Sequence, residues 1–493
     1  MSDHPPHVLM VCTDHWPGSL FGCRGAPVLT PTCDQLMRGG VVFPNATSEC
    51  PVCIPARRSQ MTGLTPRSHG DRVYSDRMLM PDVPTLASCF RQAGYQCYAS
   101  GKLHVYPQRD RIGFDDVALC EEGRMQFGCI DDYDSFLAAH GHAGEAFAHG
   151  MGNNQHHARP WHLDEALHPT TWITREACRM ISRRDPTRPG FWYVSYVGPH
   201  PPSVPPQAYW DMYRDVDMPA PPIGDWARDM AALPDDLRAR RLAEAGEPDA
   251  LDPHAPAALW ARRAFLASCT HIDHQLRLVL GALREQGLLD NTIILFTADH
   301  GDMLGAHGLW AKRVFYQGSC GIPFFLAGRP VTERLGGGRS DERLVCLADV
   351  MPTLLDLAGV AIPEHVEGLS AVGPVERELC FGEIDDEQQG QCISRMIRDR
   401  RYKFIYYPRG DHRQLFDLQE DPLECHNLIA VETLGPVRER LESALMAELH
   451  DGDEAWVRDG RLVGLSGHDC APLPDPGLSG QRGYQFPPCP PRR

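Results

Sequence analysis

Residues able to hold a metal or move a proton recur at the ends of apolar runs in this sequence. The run 8–11 leads into Cys12-Thr13-Asp14-His15, 95–99 into Gly101-Lys102-Leu103-His104, 191–197 into Gly198-Pro199-His200, and 292–297 into Asp299-His300. One strand ending in a polar residue carries no information. Four such ends, all of ligand or acid/base type, point to one convergent site. A fifth feature is Cys53-Ile54-Pro55-Ala56-Arg57. Pro55 suits the first turn of a helix, so Cys53 lies at a helix N-terminus, where free N–H groups and the dipole favour an anion. Arg57, one turn on, is within reach of the same anion. A cysteine in that place is a low-pKa nucleophile or the precursor of another one. Cys50 forms a C-x-x-C with Cys53, but no second half of a zinc site follows, and Cys50 reads as structural.

Such a site needs a scaffold that brings four strand ends together. Helical patterns at 32–37, 85–92, 170–184, 257–286 and 347–357 alternate with the strands above and with another at 323–326. The alternation predicts an α/β fold with a large, mostly parallel central sheet flanked by helices. In such sheets ligands bind beyond the carboxyl ends of the strands. After about Gly373 the texture changes to short strands at 378–381, 393–397 and 402–407, a turn at 398–401 and a helix near 437–449. This predicts a smaller C-terminal antiparallel sheet plus helix. The organisation is a catalytic α/β domain over 1–372, an α+β subdomain over 373–466 and an irregular Pro/Gly-rich tail over 467–493. Two segments have the composition of specificity-carrying insertions. Residues 140–168 hold histidines at 140, 142, 149, 156, 157, 162 and 168, and 199–222 is proline-rich with Tyr209, Trp210 and Tyr213. The histidine-rich stretch reads as an irregular, solvated loop at a pocket mouth rather than a second metal site, and the Trp210 region as ordinary packing.

Composition bounds the rest. The chain has 493 residues, Lys+Arg 48 against Asp+Glu 65, a net charge of −17, 42% hydrophobic and 23% charged residues. These proportions exclude a disordered chain, a coiled coil and a collagen-like repeat. The acidic balance argues against a nucleic-acid partner but not against an anionic substrate in a local basic pocket. No apolar stretch is long enough to span a membrane, and residues 1–7 have no secretory signature. The 18 cysteines, scattered singly, then read as reduced thiols of a cytoplasmic protein.

In its motifs the sequence resembles the type I, formylglycine-dependent sulfatases of the alkaline phosphatase superfamily. Cys53-Ile54-Pro55-Ala56-Arg57 resembles the family's C-x-P-x-R. Gly101-Lys102-Leu103-His104 is similar to its G-K-x-H, and Pro199-His200-Pro201-Pro202 to its P-H-x-P. Thr297 to Gly305, followed by Lys312, is similar to its metal and leaving-group segment. Residues 30–36, 40–43, 349–355 and 415–422 add further landmarks, so the likeness covers roughly 7–430 in the expected order.

The resemblance implies a sulfuric ester hydrolase acting on a small-molecule aryl or alkyl sulfate monoester. A separate maturation enzyme would oxidise Cys53 to formylglycine, and attack on sulfur would leave a sulfated geminal diol. Asp14, His15, Asp299 and His300 would hold one divalent cation. Calcium is common in the family, and two imidazoles among the ligands bring in manganese. Arg57, Lys102 and Lys312 would neutralise developing charge. His104 would be the base that expels sulfate, and His200 with Lys312 would protonate the leaving oxygen. A homo-oligomer, dimer or tetramer, is expected. The alternative is a phosphonate monoester or phosphodiester hydrolase of the same superfamily, or an enzyme doing both. Lys102-x-His104 favours the sulfatase, because the phosphonate-hydrolysing relatives lose those charged types there. A binding protein that kept only the fold would be expected to have lost part of the nucleophile, ligand and cation set, and here none is missing.

Overall fold

The computed structural model describes residues 5–465 except 73, 74, 76, 125–127, 244–246, 250, 253 and 386–392. The predicted tail over 467–493 lies outside the described residues. The centre is an eight-stranded sheet, in the order Asp116–Leu119, Gln96–Gly101, Gly190–Ser195, His7–Thr13, Thr292–Ala298, Phe324–Ala327, Val41–Val42, Arg339–Ser340. The first five strands are mutually parallel, and Phe324–Ala327 runs against both of its neighbours. His7–Thr13 sits between Gly190–Ser195 and Thr292–Ala298, with Val11 level with Val194 and Phe296. It is buried on both faces, from Val8 to Thr13. That explains why it reads as a continuous apolar run rather than an alternating one.

Helices cover the sheet, and their ends follow local chemistry. Thr85 Oγ accepts from Ser88 N to start Leu86–Gln92. The His168 ring caps Pro169–Ser182 by accepting from Thr170 N. Pro256–Glu285 packs along Pro169–Ser182. Within the predicted helix 347–357 the Asp349 carboxylate accepts from Cys346 N, so a 3₁₀ turn, Leu347–Asp349, precedes the helix Val350–Ala358.

The four strands Cys380–Asp385, Ile393–Arg398, Tyr402–Tyr407 and His412–Asp417 form a separate antiparallel sheet in sequential order. The last of them is absent from the sequence reading. The helix Gly435–Glu448 covers one face with Leu441 and Leu445 against Ile397, Phe404 and Leu415. The other face buries Ile405 and Phe416 against Cys50, Val52, Phe315 and Tyr316. The smaller sheet therefore braces both the segment that leads to Cys53 and the one that follows Lys312. No described helix is long and apolar enough to cross a membrane, and the described cysteines are free thiols.

Candidate active site

The carboxyl ends of the parallel strands deliver the site. Thr13 passes the chain to Asp14 and His15, whose backbone is pinned by Asp14 N to Gly198 O and Asp299 N to Thr13 O. Gly101 has φ +108°, and a Cβ there would lie 1.8 Å from Ser195 O. Only glycine lets the next residue, Lys102, enter beside that strand. Gly301 is equally confined, since its Cβ would lie 2.1 Å from Gly318 O. His15 and His104 have φ of 68° and 57°, a left-handed backbone that costs energy in a non-glycine residue and clusters at functional sites.

Cys53 opens the helix Cys53–Thr62, in which every residue is buried. Its Sγ is 3.3 Å from His300 Nε2, 3.0 Å from Lys312 Nζ and 3.8 Å from Asp14 Oδ1. The His104 ring stands beside the same sulfur. Lys312 Nζ is also 2.6 Å from His15 Nε2 and 3.2 Å from His200 Nε2. Lys102 Nζ donates to Asp14 Oδ2 and, at 2.5 Å, to Glu122 Oε1. Arg57 donates from Nε to Asp299 Oδ2 at 2.9 Å and from Nη2 to Asp14 Oδ2 at 3.2 Å. Its Nη1 reaches Ser195 Oγ, Lys102 O and Tyr193 OH at 2.8, 3.1 and 3.2 Å.

The two aspartates thus divide their oxygens. Each Oδ2 is held by cations, while Asp14 Oδ1 is 3.7 Å from His15 Nε2 and from His300 Nε2, and Asp299 Oδ1 is 3.6 Å from His300 Nε2. Donor atoms of Asp14, His15, Cys53 and His300 all lie within 4.8 Å of one another. His300 Nδ1 donates to Gly301 O at 3.0 Å, which turns Nε2 toward this point. Asp299 and Cys53 draw His300 up against the effect of its burial, and a divalent cation among these carboxylate oxygens and imidazole nitrogens would take the place of that proton.

Charge sets the protonation states. Burial works to raise the Cys53 thiol, but Lys102, Lys312 and His300 outweigh it and hold it well below its ordinary range. Burial and then Lys102 push His104 down to about 3, so it is neutral. Burial and Lys312 also lower His15 and His200. Lys102 is held above its usual value because Asp14 and Glu122 outweigh its burial.

All ten residues expected from the sequence meet at this edge of the sheet. Arg57 differs from its expected use. Its donors are engaged on the two aspartates and on neighbouring oxygens, so it braces the carboxylates rather than standing open to an anion. Four contributors were not read from the sequence. Glu122 pairs with Lys102 and Arg124 from a loop with no motif around it. Ser195 and Tyr193 hold Arg57. Asp302 accepts from His15 Nδ1 at 2.8 Å and His156 Nε2 at 3.0 Å. Its place in Asp299-His300-Gly301-Asp302 was the available signal.

The solvated reading of 140–168 is corrected. His149, His156 and His168 are buried. The segment is drawn in because Ala158 bridges Ser203 and Trp161 N donates to Pro205 O. Asp302 draws His156 up to about 10, against the effect of its burial. The segment walls a pocket beside His200, lined by Tyr133, Phe147, Asn153, Trp161 and Val204, with about 730 Å³ of empty space that includes its open mouth. Trp210, read as packing, stacks on Trp260 at 4.6 Å.

Fold and site together define a hydrolase of the alkaline-phosphatase-like class, and comparison with known proteins gives the family. Residues 6–360 match the sulfatase family, and 305–451 match the C-terminal region of N-sulphoglucosamine sulphohydrolase. An arylsulfatase of Clostridium perfringens is 34% identical over 93% of this chain and 97% of that protein. A choline-sulfatase of Rhizobium meliloti is 30% identical over 89% of this chain and 85% of that protein. Among solved structures, the phosphonate monoester hydrolase of Agrobacterium radiobacter superposes with a TM-score of 0.75 at 26% identity, covering 93% and 99% of the two chains. The chain belongs to the sulfatase family of the alkaline phosphatase superfamily. It is an enzyme of that family, a sulfuric ester hydrolase.

Proposed function

We propose that the substrate is a small aryl sulfate, cleaved by a formylglycine made from Cys53 with the aid of one divalent cation. The observation that carries this reading is Lys312 Nζ, 3.0 Å from the Cys53 sulfur and 3.2 Å from the Nε2 of His200, a residue that itself lines the aromatic pocket. One ammonium group thereby touches both the nucleophile's position and the acid on the leaving-group side. A cation held by Asp14, His15, Asp299 and His300 would supply Lewis-acid polarisation and help to ionise a nucleophilic hydroxyl. Formylglycine would supply that hydroxyl.

The remaining work falls to the chain's own side chains. Lys102 and Lys312 hold the sulfate oxygens by charge in a site that excludes water, where such contacts gain strength. Arg57 keeps Asp14 and Asp299 in place against their mutual repulsion. His200 Nδ1 donates to Pro201 O at 2.6 Å, which aims Nε2 at Lys312. Between them they give the leaving oxygen its proton. His104 is neutral and buried beside the nucleophile's position, ready to accept a proton there, and a bound anion raises its basicity. Tyr133, Phe147 and Trp161 supply flat apolar walls suited to an aryl group.

Phosphonate monoester hydrolysis is the second reading, favoured by the likeness to the Agrobacterium enzyme. Lys102 and His104 weigh toward sulfate. The test compares hydrolysis of an aryl sulfate and an aryl phosphonate monoester by the parent and by Cys53→Ala, with a peptide mass across residue 53. Sulfate turnover above phosphonate turnover, lost in the variant, with the mass of formylglycine, is the expected result. The reverse preference would transfer the protein to the phosphonate reading. Equal activity of parent and variant, with residue 53 converted in the parent, would overturn the nucleophile.

A further inference from the structure

His15 and His300 are oriented by different means. The ring of His300 is fixed by the carbonyl of the next residue. His15 has no such local partner, and its Nδ1 reaches 2.8 Å to Asp302 Oδ2, with both side chains fully buried. Asp302 is itself held on every side. Its Oδ1 accepts from Leu304 N and Ala311 N at 2.9 and 3.1 Å, and Oδ2 is shared by His15 and His156. Leu304 and Ala311 both have positive φ, 48° and 56°, so the loop bends in a costly conformation to point two amides at one carboxylate. His156 comes from the inserted segment. Its ring lies 5.0 Å from Trp310, its Nδ1 is 3.5 Å from Glu247 Oε2, and its backbone N donates to the same oxygen at 2.6 Å. The result is a row, His15, Asp302, His156, Glu247, buried except at its partly exposed Glu247 end, in which imidazoles alternate with carboxylates.

We infer that Asp302, clamped by His156, is a positioning residue that holds His15 as the Nδ1–H tautomer, so that Nε2, which accepts from Lys312 Nζ in this structure, carries the lone pair that would ligate the cation. An ionised carboxylate accepts but cannot donate, so the proton at this contact belongs to His15 Nδ1. Nε2 then carries the lone pair and faces Asp14 Oδ1. A carboxylate behind a ligating histidine fixes tautomer and ring orientation, and losing it costs about 10–100-fold in metal affinity. The inference rests on the reading of Asp14, His15, Asp299 and His300 as the metal ligands. It gives the histidine-rich insertion a part in the metal centre through His156, although the insertion contributes no ligand.

The test is a binding titration of the metal-free full chain with Ca²⁺ and with Mn²⁺, read by equilibrium dialysis and by the thermal midpoint with and without metal. Asp302→Asn keeps the size of the side chain but presents an amide that donates to Nδ1, which moves the imidazole proton to Nε2. Its affinity is expected to fall by about 10–100-fold, and the metal-free midpoint to drop by a few degrees as well, because His156 loses the carboxylate that favours its charged form. His156→Ala is expected to lower affinity in the same direction but less, and His156→Gln, which still donates to Asp302, to recover most of it. If Asp302→Asn fails to fold, the two His156 variants carry the test. Affinities of Asp302→Asn and His156→Ala within about threefold of the parent, with binding lost in Asp14→Ala, would overturn the positioning role and leave the metal site standing. Undiminished binding in Asp14→Ala would overturn the metal-site reading and this inference with it.

Discussion

Removing Arg57 gives an effect whose sign and size follow from the site. Arg57 is 2% exposed and lies between Asp14 and Asp299, both fully buried. In Arg57→Ala, Asp14 keeps Lys102 as a counter-charge. Asp299 loses its guanidinium and is left with the His15 and His300 amides and the nearby His300 ring. Stranding one member of a buried ion pair costs about 3–5 kcal/mol. With an unfolding entropy of about 2.1 cal/mol/K per residue, a unit of roughly 460 residues shifts by about 1 °C for each kcal/mol. The metal-free variant is therefore expected to melt about 3–5 °C below the parent. Saturating Ca²⁺ or Mn²⁺ brings positive charge to the same two carboxylates, so the deficit is expected to shrink by half or more. Arg57→Lys restores the charge without the planar fork and recovers only part of the loss. Scanning fluorimetry in chelator and in excess metal reads all of this. An unchanged midpoint in chelator, or the same drop with and without metal, would refute the account of Arg57 as the brace between the two aspartates.

Three further outcomes are expected. Lys312→Ala should lower kcat/KM for an aryl sulfate by about 10²–10³-fold, and by more for an alkyl sulfate, whose poorer leaving group depends more on the proton. Asn153 Nδ2 is buried without a hydrogen-bond partner among the described residues, and Asn153 and Trp161 line the pocket beside His200. Asn153→Ala and Trp161→Ala should raise KM for aryl sulfates while leaving inhibition by inorganic sulfate unchanged, as steady-state kinetics would reveal. Burial lowers His69 and His168 to about 3, and in each ring Nδ1 accepts from a backbone amide. The unfolded chain takes up their protons first, so their stabilisation is complete above about pH 6.5 and is lost as pH falls toward 3. Each should cost about 2 kcal/mol between pH 7 and pH 5, and His69→Gln or His168→Gln should flatten the pH dependence of the midpoint by about 2 °C.

Four of the five parallel strands were legible because they are almost wholly buried and lead to residues of catalytic type, whereas the fifth, Asp116–Leu119, is half exposed at the edge of the sheet and was not read. Asp14, Lys102 and Asp299 sit immediately after strands, and His200 five residues after one, where sequence position and spatial position nearly coincide. Glu122 and His156 do not. They reach the site from loops, and their contacts with Lys102 and Asp302 span 20 and 146 residues of sequence, a pairing that no periodicity encodes. The reading of 140–168 as solvated failed for a related reason. A histidine-rich, irregular stretch has the composition of a surface loop, and only its pairing with 201–205 turns three of its rings inward. The strand His412–Asp417 was missed because its first half, His412-Arg413-Gln414, is polar; register with Tyr402–Tyr407 supplies what composition lacks.

The common direction of the first five strands also has a use in engineering. Their amino ends lie at the edge opposite the ligands. Thr292–Ala298 spans seven residues, about 20 Å at the usual rise of a strand, so the turn at 287–291 is that far from Asp299. A Cβ added at Gly287 would meet nothing within 4 Å, although its left-handed φ of +69° counsels inserting after this glycine rather than replacing it. A dye, an affinity tag or a surface tether placed in that turn would leave the substrate entrance facing solution. The same separation lets sequences drift at the amino edge without altering the chemistry.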